Sequence, residues 1–212
     1  MPKSTAQDPL GLALTSLERG RIVRQKLLSA AAELIPELGW TGVSTRLVAA
    51  RAGVAPGLVH YHFASLQALL RAASIAQISA ALAGGDPAVE ESSTGRQGMA
   101  AVFGALDTHT GSDPTSLLFI ETYLAATRDE VLRADLTRML TAFRSALAGW
   151  MRERGLESPD ETAAVVAASI DGVILHRALN PTLTSAVVVP VLSRLLTGCA
   201  SNQVAPQEEC EA

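Results

Sequence analysis

Aromatic residues make up only 4% of the 212-residue chain, and cysteine occurs twice. With Ile, Tyr, Phe and Trp sparse and Ala, Leu and Val dominant, a sheet-rich fold is disfavoured and packed helices are expected. Cys199 and Cys210, both near the C-terminus, cannot build a disulfide framework, and reduced thiols of a cytoplasmic chain are the simpler expectation. No stretch approaches the roughly 18–20 apolar residues of a membrane span, so no membrane partner is expected. The apolar patch Leu10–Leu17 follows Asp8-Pro9, offers no small-residue cleavage site and runs directly into Glu18-Arg19-Gly20-Arg21, which excludes a signal peptide. GxSxG, GxxxxGK[ST], HExxH, CxxC and GxGxxG are all missing. His60 and His62 are two apart and project from different sides of a helix, a poor geometry for joint ligation, and no Glu-x-x-His pair supports a di-iron site. Asp171 and His176, five apart, suit an interhelical hydrogen bond and a pocket or interface contact. Neither a catalytic constellation nor a metal or cofactor is expected.

What is present is a large hydrophobic share, 48%, enough for a sizeable core and too much for a disordered chain. The net charge of −4 is unevenly divided. Residues 1–72 carry eight Lys or Arg against four acids, while the remainder carries nine bases against 17 acids. A basic first third on an acidic body points to a polyanion meeting only the first part. Residues 1–16 and 201–212 lack periodicity and are expected to be disordered tails.

Leu27, Ala31, Leu34 and Leu38 form the stripe of a helix over about 18–38, ended by Gly39 and loosened at Pro36. Ser44 caps a short helix over 45–52 with Val48 and Ala52 inward, and Gly53-Val54 breaks it. A second short helix follows, with Pro56 in its first turn and Val59 and Phe63 as its core face. Ser65 then caps a longer helix to about Leu82, with Leu69 and Leu70 inward. After Gly84-Gly85-Asp86-Pro87 and a polar run, helices are expected over about 97–109, 114–127, 129–153, 160–179 and 185–198, the last begun or kinked near Pro190.

Two short helices joined by a tight corner, with longer helices on each side, make a helix-turn-helix. If Val59 and Phe63 face the core, Tyr61 faces away, flanked by Gly57, Leu58 and His60. Such a face suits a DNA groove: Tyr61, His60 and His62 offer a flat ring and polar atoms, Gly57 allows close backbone approach, and the helix start at Pro56 presents free N–H groups to phosphate. Thr45 and Arg46 add a hydroxyl and a cation from the preceding helix. The DNA-facing reading is favoured over the bland alternatives, a satisfied surface or core residue for each histidine and a packing contact with a neighbouring helix for Tyr61.

The run from Arg24 through Leu27-Leu28, Ala31-Ala32, Leu34-Ile35 and Gly39-Trp40 to Ser44-Thr45, Val48-Ala49 and AGVAPGLVHYHF resembles the DNA-binding domain of the tetracycline-repressor (TetR) family over about residues 20–72. Three positions depart from that pattern. Ala55 stands where the family usually has Ser or Thr, removing a side-chain cap. His60 replaces a common Tyr, and Leu66 a common phosphate-facing Lys. Leu66 is expected to be exposed beside the DNA, the alternative being a staple beneath Phe63.

The resemblance implies an all-α fold of about nine helices: an N-terminal three-helix helix-turn-helix bundle (17–72) joined to a larger helical ligand-binding and dimerisation domain (73–200). Small and branched residues crowd the last two helices, and Val165, Ser169, Gly172, Val173, Val188, Leu192 and Leu195 are expected at a homodimer interface, an ordinary internal core being the alternative. Similar proteins bind small effectors within the helical domain. Phe103, Leu106, His109, Phe119, Tyr123, Met139, Phe143, Trp150 and His176 are the candidate lining, chemistry that favours an apolar or aromatic ligand. The expected function is a ligand-responsive transcriptional regulator, most simply a repressor released from a palindromic operator by its effector. An α-helical enzyme or small-molecule carrier with a purely structural N-terminal bundle is the rival.

Overall fold

The computed structural model of the chain describes residues 15–83 and 95–197, and all regular structure among them is helical. The α-helices are α1 (Ser16–Leu38), α2 (Thr45–Ala52), α3 (Gly57–His62), α4 (Leu66–Ala83), α5 (Gly95–Ala105), α6 (Pro114–Ala126), α7 (Glu130–Glu153), α8 (Pro159–Arg177) and α9 (Ser185–Thr197). Short 3-10 turns occupy Trp40–Gly42 and Leu106–Thr108. Of the tails expected at 1–16 and 201–212, residues 1–14 and 201–212, like both cysteines, lie outside the described residues, whereas Thr15 and Ser16 open α1 instead of belonging to a tail.

The first helix begins two residues before its apolar stripe predicts. Thr15 and Glu18 form a reciprocal capping box, the Thr15 hydroxyl taking the Glu18 N–H and the Glu18 carboxylate taking the Thr15 N–H. The helix continues through Pro36 to Leu38. Both serine caps form: Ser44 Oγ accepts from Leu47 N at 3.4 Å and Ser65 Oγ from Ala68 N at 3.1 Å. At the turn of the helix-turn-helix, Gly53 adopts a left-handed conformation (φ 66°), and its N–H and that of Val54 close onto the end of α2. The last helix also runs unbroken through Pro190 rather than starting there.

Two compact units are distinguishable, residues up to 83 with 113–139, and 84–112 with 140 onward. In the first, α1 packs on α2, α4 and α6. Leu27, Ala31, Ile35, Val48, Ala49, Val59, Leu69 and Leu70 are fully buried there, so α2 turns Ala49 inward while Ala52 is half-buried. Trp40 fastens this unit: its N–H donates to Glu121 on α6 (2.8 Å) and its indole Nε1 to Gln67 on α4 (2.9 Å). Arg71 on α4 pairs with Asp129 before α7 at 2.9 Å.

In the second unit α5 packs on α9, and Phe103, Leu147, Met151, Ala163, Val166, Ile170, Val173 and Val188 form one apolar core. Gly111 (φ 81°) lies so close to the end of α8 that a Cβ there would stand 2.4 Å from the Ala178 nitrogen. Arg177, a buried charge in this unit, donates to the Leu183 carbonyl (2.7 Å), the His109 carbonyl (2.8 Å) and the Asp107 carboxylate (2.9 Å). Asp107 also accepts from the Ser185 N–H and hydroxyl at the start of α9.

Candidate DNA-binding face

The recognition segment is built around a buried axis and an open rim. Val59 is fully buried and Phe63 is 6% exposed, whereas Tyr61, between them in sequence, is 81% exposed. One helix of six residues thus separates a core face from a ring that packs on nothing in the core. Pro56, Gly57 and His60 are exposed beside it, while Leu58 and His62 are half-buried. The His62 ring meets the Tyr61 ring edge-on at 5.0 Å. No side chain caps the start of α3, so its first N–H groups have no side-chain acceptor, as Ala55 leads one to expect. Thr45 is half-buried and Arg46 exposed at the start of α2.

Several cations of the basic N-terminal third are already engaged. Arg51 clamps α2 to α1 through a two-pronged contact with Glu37 (2.6 and 3.0 Å) and a third bond to Glu33 (3.2 Å). That guanidinium holds the Glu37 carboxyl below its usual range, and the two carboxylates push Arg51 higher still. Arg71 is taken by Asp129. Arg46, by contrast, makes no ion pair or hydrogen bond among the described residues, and it stands on the same helix-turn-helix as Tyr61. Spacing on a helix cannot distinguish a spent cation from a free one, because Glu33 and Glu37 come from a different helix. Leu66 is half-buried at the first position of α4, between the two placements considered for it.

The aromatic set is divided. Phe119 and Tyr123 stand together on α6, ring centres 6.5 Å apart, with Tyr123 56% exposed. Met139 accepts a hydrogen bond from Ser79 at 3.2 Å. In the other unit Phe103 is buried in the core, and Phe143 and Trp150 lie half-buried against it. Trp150 packs on Gly98, where a Cβ would overlap its ring, and the Arg154 guanidinium covers it at 4.5 Å. His109 is half-buried and His176 exposed. The Leu106 side chain lies outside the described residues.

Of the residues expected at a dimer interface, Val173 and Val188 are buried in the chain's own core, at 8% and 9% exposure. Val173 lies inward because it continues the α8 row Ala163, Val166 and Ile170, and Val188 on α9 joins the same cluster. Leu192 is half-buried and packs on that core, and the Leu195 side chain lies outside the described residues. Val165 is exposed, Ser169 and Gly172 are partly so, and Leu175, Leu179, Val187 and Val191 join them as large exposed apolar residues on or near the same two helices. Among the described residues no group of three or more His, Cys, Asp or Glu is placed to hold a metal, and no helix is long and apolar enough to cross a membrane.

Asp171 on α8 is a half-buried carboxylate with no hydrogen bond or ion pair among the described residues, and burial raises its pKa to about 6. A folded-state pKa above the unfolded one means that the folded chain binds the extra proton. This group's contribution is therefore present at low pH and lost as pH rises through about 6. Asp171→Asn is expected to leave stability unchanged near pH 4 and to raise it near pH 7.5 by about 1 kcal/mol after discounting for solvent access, or about 2–4 °C. Parallel thermal melts of the two proteins across that pH range check it. An equal shift at every pH would show that the carboxyl charge is not the cause.

Comparison with known proteins supplies the remaining link. Residues 27–73 match the family model described as "Bacterial regulatory proteins, tetR family", and residues 93–198 match "Tetracyclin repressor-like, C-terminal domain", half of the chain in that match alone. The HTH-type transcriptional regulator BetI of Vibrio vulnificus is 29% identical over 173 residues, covering 76% of this chain and 83% of its own. Among solved structures, SCO7518 of Streptomyces coelicolor A3(2) superposes with a TM-score of 0.70 at 26% identity, over 82% of this chain and 98% of its own. The multidrug binding protein EbrR, solved with malachite green, superposes with a TM-score of 0.63 at 29% identity, over 82% of this chain and 97% of its own. With its helix-turn-helix and its helical C-terminal part both matched, the chain belongs to the tetracycline-repressor family of DNA-binding transcriptional regulators.

Proposed function

We propose that the chain is a cytoplasmic repressor that binds a palindromic operator as a homodimer and is released by a small apolar or aromatic effector. The observation that carries the DNA contact is Tyr61, 81% exposed on a helix whose neighbours Val59 and Phe63 are buried. In this reading Tyr61, His60, Gly57 and Leu58 meet base edges and sugar. The Pro56 end of α3, Thr45 and Arg46 meet phosphate, and His62 contributes beside Tyr61. The test is retardation of the DNA upstream of the chain's own coding sequence, with scrambled DNA as control. Two protomers per site and sharp competition by the cognate duplex are expected, and equal affinity for both DNAs contradicts the proposal.

The partner is a second copy, meeting through the exposed apolar rows of α8 and α9: Val165, Ser169, Gly172 and Leu175 on one, Val187 and Val191 on the other. A twofold pair presents two recognition helices to a symmetric site. A Cβ at Gly172 would meet nothing within 4 Å in its own chain. Gly172→Leu is therefore expected to leave the protomer folded while sedimentation shifts to monomer at micromolar concentration. A stable dimer in that variant would remove Gly172 from the interface.

For the effector, Phe143 and Trp150 are the best placed of the aromatic set, being partly open at the edge of an apolar cluster, whereas Phe103 is core. EbrR's capture of malachite green supports an aromatic ligand class. A thermal-shift screen of such compounds, read with the retardation assay, identifies an effector as one that raises the melting temperature and lowers DNA affinity together.

A further inference from the structure

The end of the recognition helix rests on α1 in a seat that the sequence motif does not explain. Arg24 donates from Nη1 to the His62 carbonyl at 3.1 Å, and its guanidinium carbon lies 4.3 Å from the centre of the Phe63 ring. His62 is the last residue of α3 and Phe63 the residue that ends it. One turn earlier on α1, Gly20 faces the His62 imidazole: a Cβ there would lie 3.9 Å from Cε1. The same imidazole supports Tyr61 edge-on. A cation at a helix C-terminus is favourable both for the orphan carbonyl and for the helix dipole, and a planar guanidinium can stack and donate at once. This matters more for α3 than for a longer helix, since six residues without a side-chain N-cap have little stiffness of their own.

We propose that Arg24 is a positioning residue for operator reading: by gripping the C-terminal end of α3 through the His62 carbonyl and the Phe63 ring, it fixes the direction in which Tyr61 and His60 are presented. The inference rests on α3 being the recognition helix. Arg24 is exposed, and its Nε and Nη2 have no partner among the described residues, so a direct phosphate contact is the competing role.

The two roles differ in what they change. A lost phosphate contact weakens cognate and random DNA alike and lowers the salt slope of log K by about 0.9, and a lysine restores both. A lost positioning contact leaves the slope alone and erodes discrimination, and a lysine, which cannot stack flat on Phe63 while donating, does not restore it. Affinities of the full-length wild type, Arg24→Gln and Arg24→Lys for the operator and a random duplex, over a range of salt and well below their melting temperatures, separate them. The expected result is an operator-to-random ratio reduced about tenfold in Arg24→Gln and severalfold in Arg24→Lys, with the slope unchanged in both. A slope lowered by about 0.9 with equal losses on both DNAs and rescue by lysine overturns the proposal. So does an unchanged ratio, whatever the melting temperature does. Tyr61→Ala, run alongside, separates the two failures: full operator binding by that variant would remove α3 as the reader, while its loss with an intact Arg24→Gln would remove Arg24 alone.

Discussion

Asp107→Ala is expected to destabilise the protein by about 1–2 kcal/mol: Arg177 is buried, but the Asp107 side chain is 40% exposed, so solvent screening reduces what the pair contributes. Arg177 has 7% of its side chain exposed, so the loss of Asp107 takes an anionic acceptor from a buried guanidinium that also donates to the Leu183 and His109 carbonyls. The same carboxylate caps Ser185, so the start of α9 loses its acceptor in the same step. Burial works against the charge on Asp107, but the Ser185 bonds and the Arg177 charge outweigh it and hold its pKa below the ordinary range. Its stabilisation is thus present above that ordinary range and fades as pH falls through the lowered value. Urea melts at fixed protein concentration measure the effect, and Arg177→Met added to Asp107→Ala should recover part of the loss by removing the buried charge that Asp107 helps to balance. A change under about 0.5 kcal/mol would show that the cluster is ornamental to stability.

Phe63→Ala should cost about 3–5 kcal/mol, the range for deleting a buried aromatic ring. Phe63 seals the end of α3 against the first unit's core and carries the Arg24 guanidinium on its outer face. Its loss therefore removes both the packing and the seat, and DNA binding should fall with helicity and melting temperature. An unchanged melt would contradict the assignment of Phe63 to the core face, whatever happens to DNA binding.

Much of the first unit could be read from local pattern. The spacing of Leu27, Ala31 and Leu34 fixed the buried side of α1, although Leu38, the fourth residue of that stripe, is exposed at the end of the helix; Ser44 and Ser65 marked two helix starts through hydroxyl caps, and Gly53 marked the turn through its positive φ. Periodicity also placed Tyr61 opposite Val59, and the structure leaves it exposed. What local pattern could not supply was which partner arrives from far along the chain. Trp40 meets Glu121 across 81 residues and Arg177 meets Asp107 across 70, separations for which neither spacing nor composition has a signal. The same limit explains Val173 and Val188: an apolar residue on a crowded helix looks alike whether a second copy or its own core covers it. Within the aromatic set, Phe119, Tyr123 and Met139 belong to one compact unit and Phe103, Phe143 and Trp150 to the other, a division that helical spacing does not signal. Arg24 stood within the recognised motif as a basic residue, but its value lies in two contacts to a segment 38 residues away.

The account turns on Tyr61 being a reader of DNA and not a structural ring. Its most direct test is the affinity of Tyr61→Ala for the wild-type operator, measured beside its melting temperature and sedimentation. Because 81% of the residue is exposed and its ring meets that of His62 edge-on, the melt should move by less than about 0.5 kcal/mol and sedimentation should match the wild type's. Specific affinity should fall by an order of magnitude or more, with binding to random DNA nearly unchanged, as expected for a contact to bases rather than phosphates. Operator binding at wild-type strength, or a loss that merely follows a lowered melting temperature, would contradict the assignment of this face.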